Sequence, residues 1–403
     1  MVEVYFATNR NEREGFGNGF GNRFHHDGPH FYRVGWAEVE FTDLKKTRGG
    51  KDWDTLKSDW SAFHVDYWLY PETRPEPETV GPRELPEMHR KISENELPGS
   101  RRMFGDIQAS VAQAKGDVLV YLHGFANSFT GSLARAAQLK LLYRKHPVAE
   151  APDGPPKLGD EGREPVVFAF SWPSDGKVQP PWKYASDRED AAFSGVAMAR
   201  ALMRLVDFLK ANEERCDFRI NLVAHSMGNW ALRHALLGFR ALQDGRQLPR
   251  LFENVFLMAA DEDEDALECS DKLGLLLEVG KFIHVYHHAG DDVLAISDTT
   301  KGNVDRLGSN GPRNMSLAPG RVVAVDCGLV GEIPISTLVD GDHQYYRLRP
   351  EVLDDVRHVL AGIKPDRIAM REVVQPGRSY RIKPAAAPRR RSGAPAPQRR
   401  GGR

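Results

Sequence analysis

The stretch Arg219-Ile220-Asn221-Leu222-Val223-Ala224-His225-Ser226-Met227-Gly228-Asn229-Trp230-Ala231 decides the reading of this chain. Its apolar first half has the composition of a buried strand, and the residues from Met227 to Leu242 carry helical spacing, so Ser226 falls on a tight strand-to-helix turn. A serine held there has its hydroxyl raised above the end of a sheet, and small neighbours let strand and helix approach. The usual pattern is G-x-S-x-G; here Ala224 takes the first position and adds only a methyl group. A serine in this place also serves as an ordinary helix N-cap, but the flanking strand and helix favour the nucleophile. The Met227 N–H opens the helix, where unpaired amides and the positive end of the dipole stabilise a developing oxyanion.

Working outward, similar runs occupy residues 117–122, 166–171, 254–259, 282–287 and 321–326, each followed by turn residues and usually by a helical pattern, such as residues 184–212. Strands alternating with helices in this way predict an α/β fold with a doubly wound, mostly parallel sheet. Two further runs, residues 2–7 and 35–41, predict an antiparallel edge. Residues 45–99, with Trp53, Trp60, Phe63, Tyr67, Trp68 and Tyr70 followed by a Pro- and Glu-rich stretch, read as an insertion that packs through its aromatics and then crosses the surface. The expected organisation is one domain over residues 1–368 and a disordered basic Pro-, Ala- and Arg-rich tail over 369–403.

A chain of 403 residues with 41% hydrophobic and 28% charged residues can bury a sizeable core. Residues 376–403 hold nine basic and no acidic side chains, which leaves −10 for the remainder of a chain whose net charge is −1. The tail is therefore a separate electrostatic object, with a polyanion as its conceivable partner and an inert, solvated tail as the plainer reading. No apolar run reaches membrane-spanning length and no leader precedes the first strand, so a cytoplasmic location is expected. Cys216, Cys269 and Cys327 are odd in number and widely spaced, which suits reduced thiols and argues against a structural metal.

A second oxyanion donor is expected from the loop after an earlier central strand. His123-Gly124-Phe125-Ala126-Asn127-Ser128 supplies it: Gly124 permits a sharp turn and the Phe125 N–H is the donor. His123 reads as a brace for that loop, and Asn127 and Ser128 as caps of the next helix.

These residues resemble the α/β-hydrolase superfamily, esterase- or lipase-like, and within it the bacterial branch known only as a domain of unknown function. The likeness rests on Tyr5-Phe6-Ala7-Thr8-Asn9-Arg10, Tyr121-Leu122-His123-Gly124-Phe125, Phe170-Ser171-Trp172-Pro173-Ser174, residues 184–191, His225-Ser226-Met227-Gly228 and residues 291–297. It implies a sheet of about eight strands with helices on both faces, hydrolysis of an ester or related acyl bond, and no cofactor.

In that fold the acid and the histidine follow the serine in the chain. Acid candidates are Asp291 and Asp292, in the turn after residues 282–287, and Asp261 one strand earlier; Asp291 aligns best with the family acid. Glu262 to Asp265 read as a solvated acidic turn. Of the late histidines, His358 falls inside a helical pattern, whereas His343 sits in a loop just before it, where the fold delivers its base. Trp172 is a pocket or core residue. Asp187, Arg188, Glu189 and Asp190 read as helix-surface ion pairing, with a pocket role for Asp187 as the alternative. His287 and His288 adjoin the acid turn but lack a third ligand, so no metal is assigned. The function expected is a serine hydrolase acting on a small-molecule acyl substrate; the alternative is a catalytically silent scaffold used for ligand or protein binding.

Overall fold

The computed structural model describes residues 1–13, 19–41, 63–71, 98–151, 154–175, 182–211, 218–294, 305–318, 320–330 and 341–383. Residues 384–403, most of 45–99 (Trp53 and Trp60 included), Cys216 and residues 295–297 lie outside the described residues.

Eleven strands form one sheet: β1 (Val2–Thr8), β2 (Arg33–Phe41), β3 (Phe63–Leu69), β4 (Val118–Leu122), β5 (Val166–Ser171), β6 (Ile220–His225), β7 (Phe252–Met258), β8 (Gly280–His287), β9 (Val322–Asp326), β10 (Arg371–Gln375) and β11 (Ser379–Ile382). Their spatial order is β10-β11-β9-β8-β7-β6-β4-β5-β1-β2-β3. From β11 across to β1 all neighbours are parallel, and this block has the eight strands expected. The additional strands are antiparallel margins, β10 on one side and β2 with β3 on the other.

The central strands are buried on both faces, which is why they read as nearly continuous apolar runs. In β4, Val118, Val120 and Leu122 face a core closed by helices α1 (Pro98–Ala114), α4 (Gly195–Ala211) and α5 (Gly228–Leu242). Leu119 and Tyr121 point the other way, into a core closed by α2 (Phe129–Leu142) and α6 (Pro350–Leu360). The long helix expected over 184–212 is two helices, α3 (Trp182–Phe193) and α4, parted at Ser194. The Ser194 Oγ donates back to the Asp190 carbonyl, a bond that bends helices. A Cβ on Gly195 would stand 2.6 Å from the His234 backbone, so α4 begins where it meets α5 closely.

Residues 63–69, the aromatic part of the expected insertion, form the strand β3, with Trp68 stacked on Trp36 at 4.1 Å and Tyr67 packed on Phe6. One boundary expectation is corrected: the fold does not stop at residue 368. Arg371 is 5% exposed and its Nε and Nη2 reach the Asp355 carboxylate at 2.7 and 2.8 Å, tying the β10–β11 hairpin to α6. The tail expected from 369 therefore contributes a sheet hairpin as far as residue 382. No helix among the described residues is long and apolar enough to cross a membrane.

Candidate active site

β6 runs into α5 through Ser226, whose φ is +54°, a left-handed conformation that costs a non-glycine residue of order 1–3 kcal/mol. The surroundings hold it there. The Ser226 N–H donates to Met258 O at 2.9 Å, and its carbonyl accepts from the Asn229 N–H and Nδ2, both at 3.0 Å. Gly228 is required by contact, since a Cβ would lie 2.6 Å from Leu122 O and 2.7 Å from His123 O. Gly124 is required likewise: its Cβ would meet Ser226 Cβ at 2.9 Å. The first elbow position needs no glycine, and Ala224 is fully buried without strain.

His343 and Asp291 arrive on separate loops and meet. The His343 Nδ1 is 2.7 Å from Asp291 Oδ2, and both residues are 3% exposed. The other Asp291 oxygen accepts the N–H groups of Val293 and Leu294 at 3.1 and 3.2 Å, so the carboxylate is aimed from behind. His288 shapes the same turn by accepting the Gly290 N–H on Nδ1 and the Asp291 N–H on its carbonyl. The loop bearing His343 is clamped: the Tyr345 hydroxyl donates to Tyr286 O at 2.7 Å and accepts the Ala259 N–H at 2.8 Å.

His225, to which the sequence reading gave no role, links this loop to the elbow. Its Nε2 donates to the His343 carbonyl at 3.1 Å, the two rings are 4.7 Å apart, and its other side stacks on Tyr346 at 4.3 Å. Complete burial, with the neighbouring His343 next, holds its pKa well below the usual imidazole value and keeps it neutral. Its place directly before the serine was the only signal of it.

The other acid candidates are placed differently. Asp292 is exposed. The Asp261 carboxylate accepts the Tyr184 hydroxyl and lies 3.5 Å from Arg188 Nη1. Glu262 to Asp265 are not a solvated turn: Glu262 is fully buried, pushed up to about 7 by burial despite Arg233, and Asp263 pairs with Lys272 and Arg306. His358 is a helix residue whose Nδ1 faces Asp354 O.

In the loop after β4, His123 is fully buried and stacks on Trp172 at 4.8 Å, and burial pulls its pKa down to about 3. The Trp172 indole N–H donates to His123 O at 3.0 Å, and the fully buried ring supports the loop. Ser128 caps α2, but Asn127 does not: its Nδ2 donates to Gly124 O and Phe125 O at 3.0 and 2.9 Å. Asp187 is likewise no surface residue. Fully buried, it accepts the Ser174 hydroxyl, the Asp175 N–H at 3.0 Å and the Ala126 N–H at 3.3 Å, and burial raises its pKa to about 6. Among the described residues the N–H groups of Phe125 and Met227 have no acceptor. The described residues contain one group with metal-ligand proximity, His25, His26 and Asp27, consecutive in the chain and apart from these loops.

A parallel sheet with a strained serine between a central strand and its helix is the architecture of the α/β-hydrolases. The chain belongs to the family described as alpha/beta hydrolase of unknown function (DUF900), whose model matches residues 104–357. No curated protein and no solved structure gives a match.

Proposed function

We propose that the protein is a serine hydrolase that cleaves an ester or related acyl bond of a small molecule through an acyl-enzyme. The observation that carries this reading is the 2.7 Å His343–Asp291 pair, seated against the residue that precedes a serine in left-handed backbone. A serine hydroxyl is a weak nucleophile at neutral pH and needs a base. With Nδ1 directed at Asp291, the His343 ring presents Nε2 as that base.

In the first step Ser226 Oγ bonds to the acyl carbon while its proton passes to His343 Nε2. The carbonyl electron pair moves onto oxygen, where the Phe125 and Met227 N–H groups receive it. The pair returns, the bond to the leaving oxygen breaks, and the His343 proton leaves with the alcohol. Water then repeats the sequence with the acyl-enzyme, giving the carboxylic acid and free Ser226. Asp291 holds the imidazole tautomer and stabilises its cation throughout.

The test is labelling with a fluorophosphonate, which bonds to an activated serine with loss of fluoride. Wild type should label, while Ser226→Ala should not and His343→Gln should label far more slowly. An unlabelled, folded wild type would instead favour a silent binding scaffold.

A further inference from the structure

We propose that Arg10 is a positioning residue for the oxyanion-forming loop, acting with Asn127, Ser174 and Asp187 to set the direction of the Phe125 N–H. The inference rests on the serine-hydrolase reading above and adds residues to it that touch neither nucleophile nor base.

The argument begins with peptide geometry. The Gly124 carbonyl and the Phe125 N–H belong to one rigid plane and point in opposite directions, so whatever anchors the carbonyl aims the donor. Gly124 O accepts from His123 Nδ1 at 2.9 Å and from Asn127 Nδ2 at 3.0 Å. The next carbonyl, Phe125 O, is held by the same amide at 2.9 Å. Asn127 is therefore the hand on both peptide planes around Phe125, and its own position is fixed by its backbone: its N–H donates to Ser174 Oγ at 3.2 Å, and its carbonyl accepts Arg10 Nη2 at 2.8 Å.

Arg10 is 1% exposed, two residues beyond β1 at the start of a short strand Arg10–Glu12, and spends its donors on loops. Besides Asn127 O it reaches Ser171 Oγ at 3.0 Å, Ser174 O at 3.1 Å and Gly21 O at 3.0 Å. These acceptors are neutral, so among the described residues the guanidinium is buried without a hydrogen-bonded carboxylate, and its desolvation is costly. The charge is offset from a distance by Asp187 and Asp190. Asp187 completes the cage from the far side by taking the Ala126 N–H and the Ser174 hydroxyl. Ala126 itself is left-handed, φ +58°, a conformation that the cage over-determines. The fork of a guanidinium, with separate donors to separate acceptors, is what this arrangement requires; a single ammonium does not provide it.

The test measures phosphonylation by a fluorophosphonate, separating the maximal labelling rate from the concentration at half-saturation. The developing oxyanion is felt in the rate; binding of the probe body is felt in the half-saturation. Arg10→Met and Asn127→Ala should each lower the maximal rate about 10²-fold, the loss typical of one disabled oxyanion donor, with half-saturation changed by less than about threefold and a cooperative melt retained. A folded Arg10→Met with an unchanged rate overturns the proposal, as does a rate that falls only in proportion to the unfolded fraction. If Arg10→Met does not fold, Asn127→Ala decides by the same criteria. An unlabelled wild type would break the serine-hydrolase reading itself, whereas a labelled wild type with unaffected variants would break this proposal alone.

Discussion

Two buried arginines stand toward opposite margins of one sheet and are used differently. Arg371 forms a two-pronged pair with Asp355, whose carboxylate also takes the Tyr286 hydroxyl at 2.6 Å; Asp355 outweighs the effect of burial and holds the guanidinium above its ordinary pKa. Arg10 has hydroxyl and carbonyl partners, and burial pulls it down to about 9, with only partial relief from Asp187 and Asp190. A buried cation with a fitted anion fastens one element to another, here a hairpin to a helix. A buried cation shared among carbonyls ties loops together, and one of the loops that Arg10 ties is the segment 124–127 beside Ser226.

The contrast can be broken most forcefully at Asp355. Asp355→Asn leaves Arg371 buried without its counter-charge and should cost about 3–5 kcal/mol in urea unfolding, with the phosphonylation rate of the folded fraction unchanged; a parallel loss of rate would mean that both arginines serve the site. Arg10→Met removes the cation with its charge and strands only neutral acceptors, so the stability loss should be smaller, about 1–3 kcal/mol. A loss as large as that of Asp355→Asn would place Arg10 among the fasteners. Ser226→Gly relieves the left-handed φ and should raise the unfolding free energy by about 1 kcal/mol while abolishing labelling; a destabilised variant would mean that the serine side chain contributes more packing than strain.

The smallest effect concerns pH. Asp190 is raised to about 7 by burial, then by Asp187 and Asp175, and Asp187 to about 6. A carboxyl whose pKa is higher folded than unfolded binds more protons folded, so its contribution to stability is full below about pH 4 and is lost as pH rises through the folded value. Ionisation of these two acids therefore lowers stability progressively between about pH 4 and 7, and the Tm of Asp190→Asn minus that of wild type should rise across that range. A difference that stays level or falls would contradict the assignment.

The parallel core and the elbow were legible because strands buried on both faces are almost wholly apolar, as in residues 118–122 and 166–170. The approach of His343 to Asp291 followed from the order that the fold imposes. Arg10, Asn127 and Asp187 were misplaced or passed over because hydrophobic patterning treats a buried polar residue as a surface one, and the contacts that bury them come from distant segments. The hairpin at 371–382 was hidden by composition: Pro376-Gly377 between two alternating runs signals a turn, yet the basic stretch beyond it dominates the count.

The clamp at Tyr345 has a consequence for synthesis. Asn127, in the loop after β4, takes a hydrogen bond from Arg10, and the proposed base His343 lies in a loop clamped onto strand ends by a tyrosine two residues later. A chain still emerging from the ribosome can carry the complete elbow for a long interval with no imidazole to activate it. On the proposed reading, the segment bearing His343 arms a serine synthesised long before it, and the helix and hairpin that follow close the core behind it.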